Sequence, residues 1–146
     1  MAATTLQGTG ILPGQGRGPA MVTRQPFNFT AALTKLQNLV RTDQVQDRHH
    51  EWFRRPLRGR VLVIPAAVGS THSGLVILEL LFKRVAPAAI VVQAADSLLV
   101  SGVVLGDVWF ERGLPVVEYP GDDLYTVITE GADVAVDGTS GEIQVG

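Results

Sequence analysis

The sequence predicts an α/β domain with a mixed central sheet, partly parallel, followed by C-terminal antiparallel hairpins. Three observations predict it. Short β-branched runs at Arg60–Pro65, Ala89–Val92 and Pro115–Glu118 alternate with apolar helical stretches, which implies parallel strands joined by right-handed crossovers. The tail changes character: Asp137-Gly-Thr-Ser-Gly141 is a turn between Asp133–Val136 and Glu142–Val145. Of the 146 residues, 46% are hydrophobic and 18% charged, enough apolar material for one packed core.

Taken in order, residues 1–20 carry Gly8, Gly10, Gly14, Gly16 and Gly18 and little periodic apolar content. They are expected to be a flexible N-terminal arm or a segment that orders against a partner. Residues 21–57 form an extension expected to pack on the domain or on the partner. Within it, Leu33, Leu36, Leu39 and Val40 share one side of a short predicted helix. The polar stretch Arg41–Arg60 follows, with six arginines and the pair His49-His50. The domain proper is expected over 58–146. Its first buried strand is Arg60–Pro65. Leu75–Val85 is apolar on nearly every side, so the helix predicted over about 73–84 is largely buried. Pro87 ends it before the strand at Ala89–Val92. Asp96 and Ser97 are cap residues for a helix over about 97–106. Pro115–Glu118 is the third strand, and Leu124–Thr129 is grouped with the antiparallel tail.

Composition also excludes. A net charge of −2 and a pI near 5.9 give no reason to expect nucleic acid or an anionic membrane as partner. There is no cysteine, so disulfides, thiolate catalysis and cysteine-held zinc or iron–sulfur centres cannot be built from this chain alone. The start, MAATTLQGTG, lacks a basic region followed by an apolar one and predicts no secretory signal; a cytoplasmic location is expected. The longest apolar stretches fall far short of a membrane span.

The segment richest in chemistry is Gly69-Ser70-Thr71-His72-Ser73-Gly74, between a strand and a helix. A helix start presents unpaired N–H groups and the positive end of the dipole, and glycine lets a ligand approach. Such a loop can bind a carboxylate or phosphate, and a serine within it can have its alkoxide stabilised for proton transfer. Alternatively Ser70 or Ser73 only caps the helix. The lysine of a phosphate P-loop is missing. His72 has no second His, Asp or Glu near it in sequence to make a metal set. His49 and His50 point different ways on what reads as a solvated loop. Arg54, Arg55, Arg58 and Arg60 form a basic run that is either solvated or faces a partner. Trp109 and Phe110 suit an interface or a core equally.

Arg60-Val-Leu-Val-Ile-Pro65, then Gly69-Ser70-Thr71, then Val-Ile-Leu-Glu-Leu-Leu over 76–81, then Val-Ala-Pro-Ala-Ala-Ile-Val-Val over 85–92 come in a fixed order. Asp96, the small residues around Gly102 and Leu114-Pro115-Val116-Val117 continue it. This series resembles the swivelling domain of aconitase X over roughly residues 57–145, and weakly over 25–50. The resemblance implies a swivelling β/β/α fold. It also implies a dehydratase of small hydroxy acids that is active only with a large subunit.

By the same resemblance, the large subunit supplies an iron–sulfur cluster or another metal, and the swivelling domain contributes a serine. By position that serine is most like Ser70, as base, with Thr71 next to it and Ser73 third; Gly69, Thr71, His72 and Ser73 are expected to bind substrate, and this chain binds no cofactor or metal alone. The activity implied is dehydration of cis-3-hydroxy-L-proline to 1-pyrroline-2-carboxylate, because the extension 1–57 is expected to be missing from chains acting on phosphomevalonate. Phosphomevalonate dehydration is the alternative. The sequence departs from the family pattern at His72-Ser73-Gly74, where many members read small-glycine-serine. It departs again at Asp107–Gly113, which is longer than expected. A non-catalytic or phosphocarrier swivelling module, the latter also ending in a Val136-Asp137-Gly138-like hairpin, is a third reading. Its threonine-serine-histidine order is not matched by Thr71-His72-Ser73.

Overall fold

In the computed structural model the strands form one continuous ladder in the order β1-β9-β8-β3-β5-β6-β7-β2, with β4 paired beside β5. The structure describes residues 3–29, 31, 44–68, 73–82, 84–110 and 113–146. The strands are β1 (Thr4–Gln7), β2 (Thr9–Leu12), β3 (Gln15–Val22), β4 (Phe27–Asn28), β5 (Val61–Val68), β6 (Ala89–Ala94), β7 (Val116–Glu118), β8 (Asp133–Asp137) and β9 (Glu142–Val145). The helices are α1 (Ser73–Phe82), α2 (Ser97–Phe110) and α3 (Leu124–Val127).

β3, β5, β6 and β7 run parallel and form the central layer. The alternation of their side chains builds two cores. Met21, Leu62, Ile64, Ile90, Val92 and Val116 point to one face, where Val76, Ile77 and Leu81 of α1 and Val103 of α2 cover them. Ala20, Val61, Val63, Ala89, Val91 and Val117 point to the other face. There the antiparallel sheet of β8, β9 and β1 folds back with α3, through Val134, Val136, Ile143, Leu124 and Ile128. The result is three layers, β/β/α, with β3 shared: Gln15–Pro19 pairs with β8, and Ala20–Val22 pairs with β5. This is the mixed α/β architecture that the sequence predicts.

Four local expectations change. Residues 4–22 are not an arm but three strands, and β1 and β2 close the two ends of the ladder. Their glycines serve close packing. A Cβ at Gly16 would lie 2.1 Å from the Ala88 carbonyl oxygen, and one at Gly18 would lie 2.1 Å from that of Gly59. Only glycine lets β3 approach the amino ends of β5 and β6 this closely. Second, the domain does not begin at 58: Phe27, Phe29, Val45, Trp52 and Leu57 are buried in the same cluster as Leu62 and Ile64. Third, Leu124–Val127 is a helical turn, not a strand. The Thr126 and Val127 N–H groups bond to the Asp123 carbonyl, and Leu124 and Ile128, four residues apart, are both buried. Fourth, α2 runs on to Phe110 and so absorbs most of the stretch Asp107–Gly113. The helix expected over Leu33–Val40 lies outside the described residues.

Candidate functional site

Open parallel sheets bind ligands beyond the carboxyl ends of their strands. Here that edge is where β4 ends at Asn28, β5 at Val68, β6 at Ala94 and β7 at Glu118. β5 leads into the serine-bearing segment, and α1 begins at Ser73, so four residues join strand to helix. Gly69, Ser70, Thr71 and His72 themselves lie outside the described residues, and of Ser73 only the backbone is described, as the first residue of α1. Ser73 starts a ten-residue helix, which meets the sequence condition for a dipole directed at the loop.

The surroundings of that edge are described in detail. The Glu118 carboxylate accepts the Ala95 N–H at 2.8 Å, tying the end of β7 to the turn into α2. The Tyr119 hydroxyl donates to Asp123 at 2.9 Å, and this bond holds the phenol proton more tightly than usual. Val68, the last residue of β5, is 45% exposed. β4 pairs with it in parallel, Phe27 opposite Ala67 and Asn28 opposite Val68.

β4 is anchored from below by rings. The centroid of Phe27 lies 4.7 Å from that of Phe29, 5.3 Å from that of His50 and 5.2 Å from that of Trp52. His50, expected on a solvated loop, is buried here. Its Nδ1 accepts the Trp52 N–H at 3.0 Å. Burial lowers the imidazole below its ordinary value, against the charges of Glu51 and Asp47. The sequence alone does not show this, because one of the two rings packed against His50, that of Phe27, comes from a distant stretch of chain; the other, Trp52, was the available signal.

The basic run resolves into separate roles. Arg55 is bidentate to Glu130, at 2.7 and 3.3 Å, and the Val22 N–H also reaches that carboxylate. Burial pushes Glu130 up, but Arg55, the Val22 N–H and the charge of Arg60 outweigh it and hold the group below its usual range. The Arg24 guanidinium lies over the Tyr125 ring at 4.9 Å. Burial raises the Tyr125 phenol to about 12 against that positive charge. The side chains of Trp109 and Phe110 lie outside the described residues.

A depression of about 360 Å³ lies on the outer face of β3, β8 and β9, lined by Gln15, Arg17, Asp137, Glu142 and Gln144. None of these strands leads to the serine-bearing segment. Among the described residues no three His, Asp or Glu side chains gather in one place, and no helix is long and apolar enough to cross a membrane.

The aconitase X swivel-domain model matches residues 5–145. The chain belongs to the aconitase X swivel-domain family. Its β/β/α layers agree with a chain of the crystal structure of Thermococcus kodakaraensis aconitase X in its holo form. That match has a TM-score of 0.82 at 28% identity, over 97% of this chain and 98% of that one. Among named proteins, it is 32% identical to the phosphomevalonate dehydratase small subunit of Methanothermobacter thermautotrophicus, over 92% of this chain and 94% of that one. It is 41% identical to the cis-3-hydroxy-L-proline dehydratase of Pseudomonas aeruginosa over 76 residues, which are 52% of this chain and 13% of that one. The family match begins at residue 5, so the aconitase X swivel domain takes in nearly all of β1, then β2, β3 and the residues through 57, and does not begin at 58.

Proposed function

We propose that this chain is the swivelling subunit of an aconitase X-type hydro-lyase, that it works with a larger partner chain, and that Ser70 is its base. The observation that carries the reading is the order β5, serine-bearing segment, α1 at the carboxyl edge, in a chain matched from residue 5 to 145. Both substrates named among the relatives are 3-hydroxy carboxylates. The common reaction removes the C2 proton, forms a C2–C3 double bond and expels the C3 hydroxyl as water.

Ser70 in this reading takes the C2 proton. A free serine is a very weak acid, so its alkoxide needs the N–H groups and dipole of a helix start, and a closed, dry pocket that strengthens both. The acid that receives the departing hydroxyl belongs to the partner. An iron–sulfur cluster needs thiolate ligands and this chain has no cysteine, so such a cluster, or another metal, is assigned to the large chain. Gly69, Thr71, His72 and Ser73 then line the carboxylate side of the substrate.

Two substrates remain in play, each with an observation behind it. The 41% identical stretch of 76 residues accords with cis-3-hydroxy-L-proline, which we place first, while a 40% identical stretch of 91 residues in a phosphomevalonate dehydratase small subunit accords equally with the phosphorylated acid. The near full-length similarity to phosphomevalonate dehydratase small subunits supports the phosphorylated acid. Residues 1–57 do not separate them, since those small subunits align over 92–96% of this chain. The reconstituted complex should turn over one of the two, and Ser70→Ala should remove most of kcat while leaving melting and assembly unchanged. If Ser70 is only a cap, Ser70→Ala costs about 1 kcal/mol of stability and leaves turnover near normal; that result ends the catalytic assignment.

A further inference from the structure

The two outer faces of the molecule differ in chemistry. On the outer face of the antiparallel sheet the side chains are charged or polar: Arg17 pairs with Asp133, and Gln15, Glu142 and Gln144 stand near them. The helical face is not built this way. α2 holds a single charged residue, Asp107, among its fourteen. Gly102, Val103 and Gly106 are buried, so one side of α2 is used within the domain, where the helix lies against α1. Val104 and Val108, one turn apart on another side, are 40% and 69% exposed. Ser101, also exposed, extends the same stripe. A helix on the outside of a domain ordinarily turns charged residues to water, and one that is apolar on both sides is buried on both. Val68, Val104 and Val108 are the exposed large apolar side chains among the described residues, and two of the three lie here.

Relatives differ in how much chain accompanies this domain. The match to the Methanothermobacter thermautotrophicus small subunit takes up 94% of that protein. The cis-3-hydroxy-L-proline dehydratase of Hypocrea jecorina is 28% identical over 96% of this chain, yet the match takes up 23% of that protein. There the swivel domain shares its chain with a much larger body.

We propose that the Val104–Val108 side of α2 is the surface on which the larger partner chain docks, against an uncharged aliphatic patch of that chain. The inference rests on the function proposed above, which supplies the partner, and adds the place of contact. A partner that turned charges to this side would bury them without a counter-ion, because Ser101, Val104 and Val108 offer none. An aliphatic patch meets no such cost and removes the valines from water.

The test is the affinity of this full chain for the aconitase X-type large chain of the same organism, measured by titration calorimetry. Val104→Lys/Val108→Lys should weaken it about a hundredfold or more, since two ammonium groups then meet an apolar patch. Both positions face solvent and lysine forms helix better than valine, so this variant alone should melt no lower than the wild type. Val104→Ala/Val108→Ala only shortens the side chains; it should weaken binding about tenfold, and it decides if the lysine variant melts lower. Gln144→Lys, on the polar outer face, should bind like the wild type. An affinity within about threefold of wild type in the folded lysine variant overturns the inference alone, and so does an equal loss in Gln144→Lys. A wild-type dimer that the lysine variant disperses, with affinity for the large chain unchanged, gives the face to a second copy and also overturns it. A wild-type chain that does not bind the large chain overturns the proposed function and this inference with it.

Discussion

The two ends of the parallel strands are built in opposite ways. At the amino end, backbone meets backbone: β3 crosses the starts of β5 and β6 so closely that the carbonyls of Gly59 and Ala88 occupy the places where side chains would stand at Gly18 and Gly16. At the carboxyl end, large side chains hold the strands: Phe29, His50 and Trp52 pack against Phe27 of β4, and Glu118 braces the turn after β6. One end is closed by the absence of side chains, and the other is shaped by their bulk. The difference teaches where chemistry can be placed. The glycine-closed end has no room for a ligand, whereas at the propped end Val68 is exposed and Asn28 half-buried.

The largest effect is expected from breaking the closed end. Gly18→Ala puts a methyl against a carbonyl oxygen that belongs to backbone and cannot swing away. It should cost about 3 kcal/mol or more in denaturant unfolding, and Gly18→Val should prevent folding. A normal unfolding midpoint for Gly18→Ala would show that the two layers are not in close contact there.

Next comes the propped end. Trp52 is fully buried and its indole N–H donates to the Val22 carbonyl at 3.2 Å. Trp52→Ala should destabilise by about 3–5 kcal/mol, whereas Trp52→Phe, which keeps most of the bulk, should lose closer to about 1 kcal/mol for the missing donor. Equal losses in the two variants would mean that the hydrogen bond, and not the bulk, props this end.

The smallest effect separates the ends by pH. His50 has a lowered value in the folded chain because burial disfavours its charged form. Its unfolded value is near 6.5, so below about pH 6.5 the unfolded chain takes up a proton that the folded chain refuses. Stability from this group is therefore complete above about pH 6.5 and falls as the pH drops toward the folded value, by up to about 1 kcal/mol per pH unit. His50→Asn keeps an acceptor for the Trp52 N–H and cannot titrate. It should flatten the melting temperature between about pH 7 and 5; an unchanged slope would place the titration elsewhere.

Much of this was legible in the residues. β5, α1, β6 and β7 were readable because strands buried on both faces, and a helix buried between them, are continuous apolar runs that no turn could contain. The turn at Asp137–Gly141 was readable because its geometry demands those residue types. α3 was not, since Leu124 and Val127 suit a strand and only the burial of Leu124 with Ile128 selects the helical spacing.

The sequence by itself determined the parallel core, its order and the serine-bearing segment between β5 and α1, because local apolar periodicity and turn chemistry act within a few residues. Only the tertiary structure decided what the glycines of β3 are for, that His50 is buried, and that Asn28 stands beside Val68. Each of those depends on a partner far away in sequence: Ala88 and Gly59 for β3, Phe27 for His50, and the β4–β5 register for Asn28. A glycine, a histidine or an asparagine carries no sign of such a neighbour until the chain has folded against it.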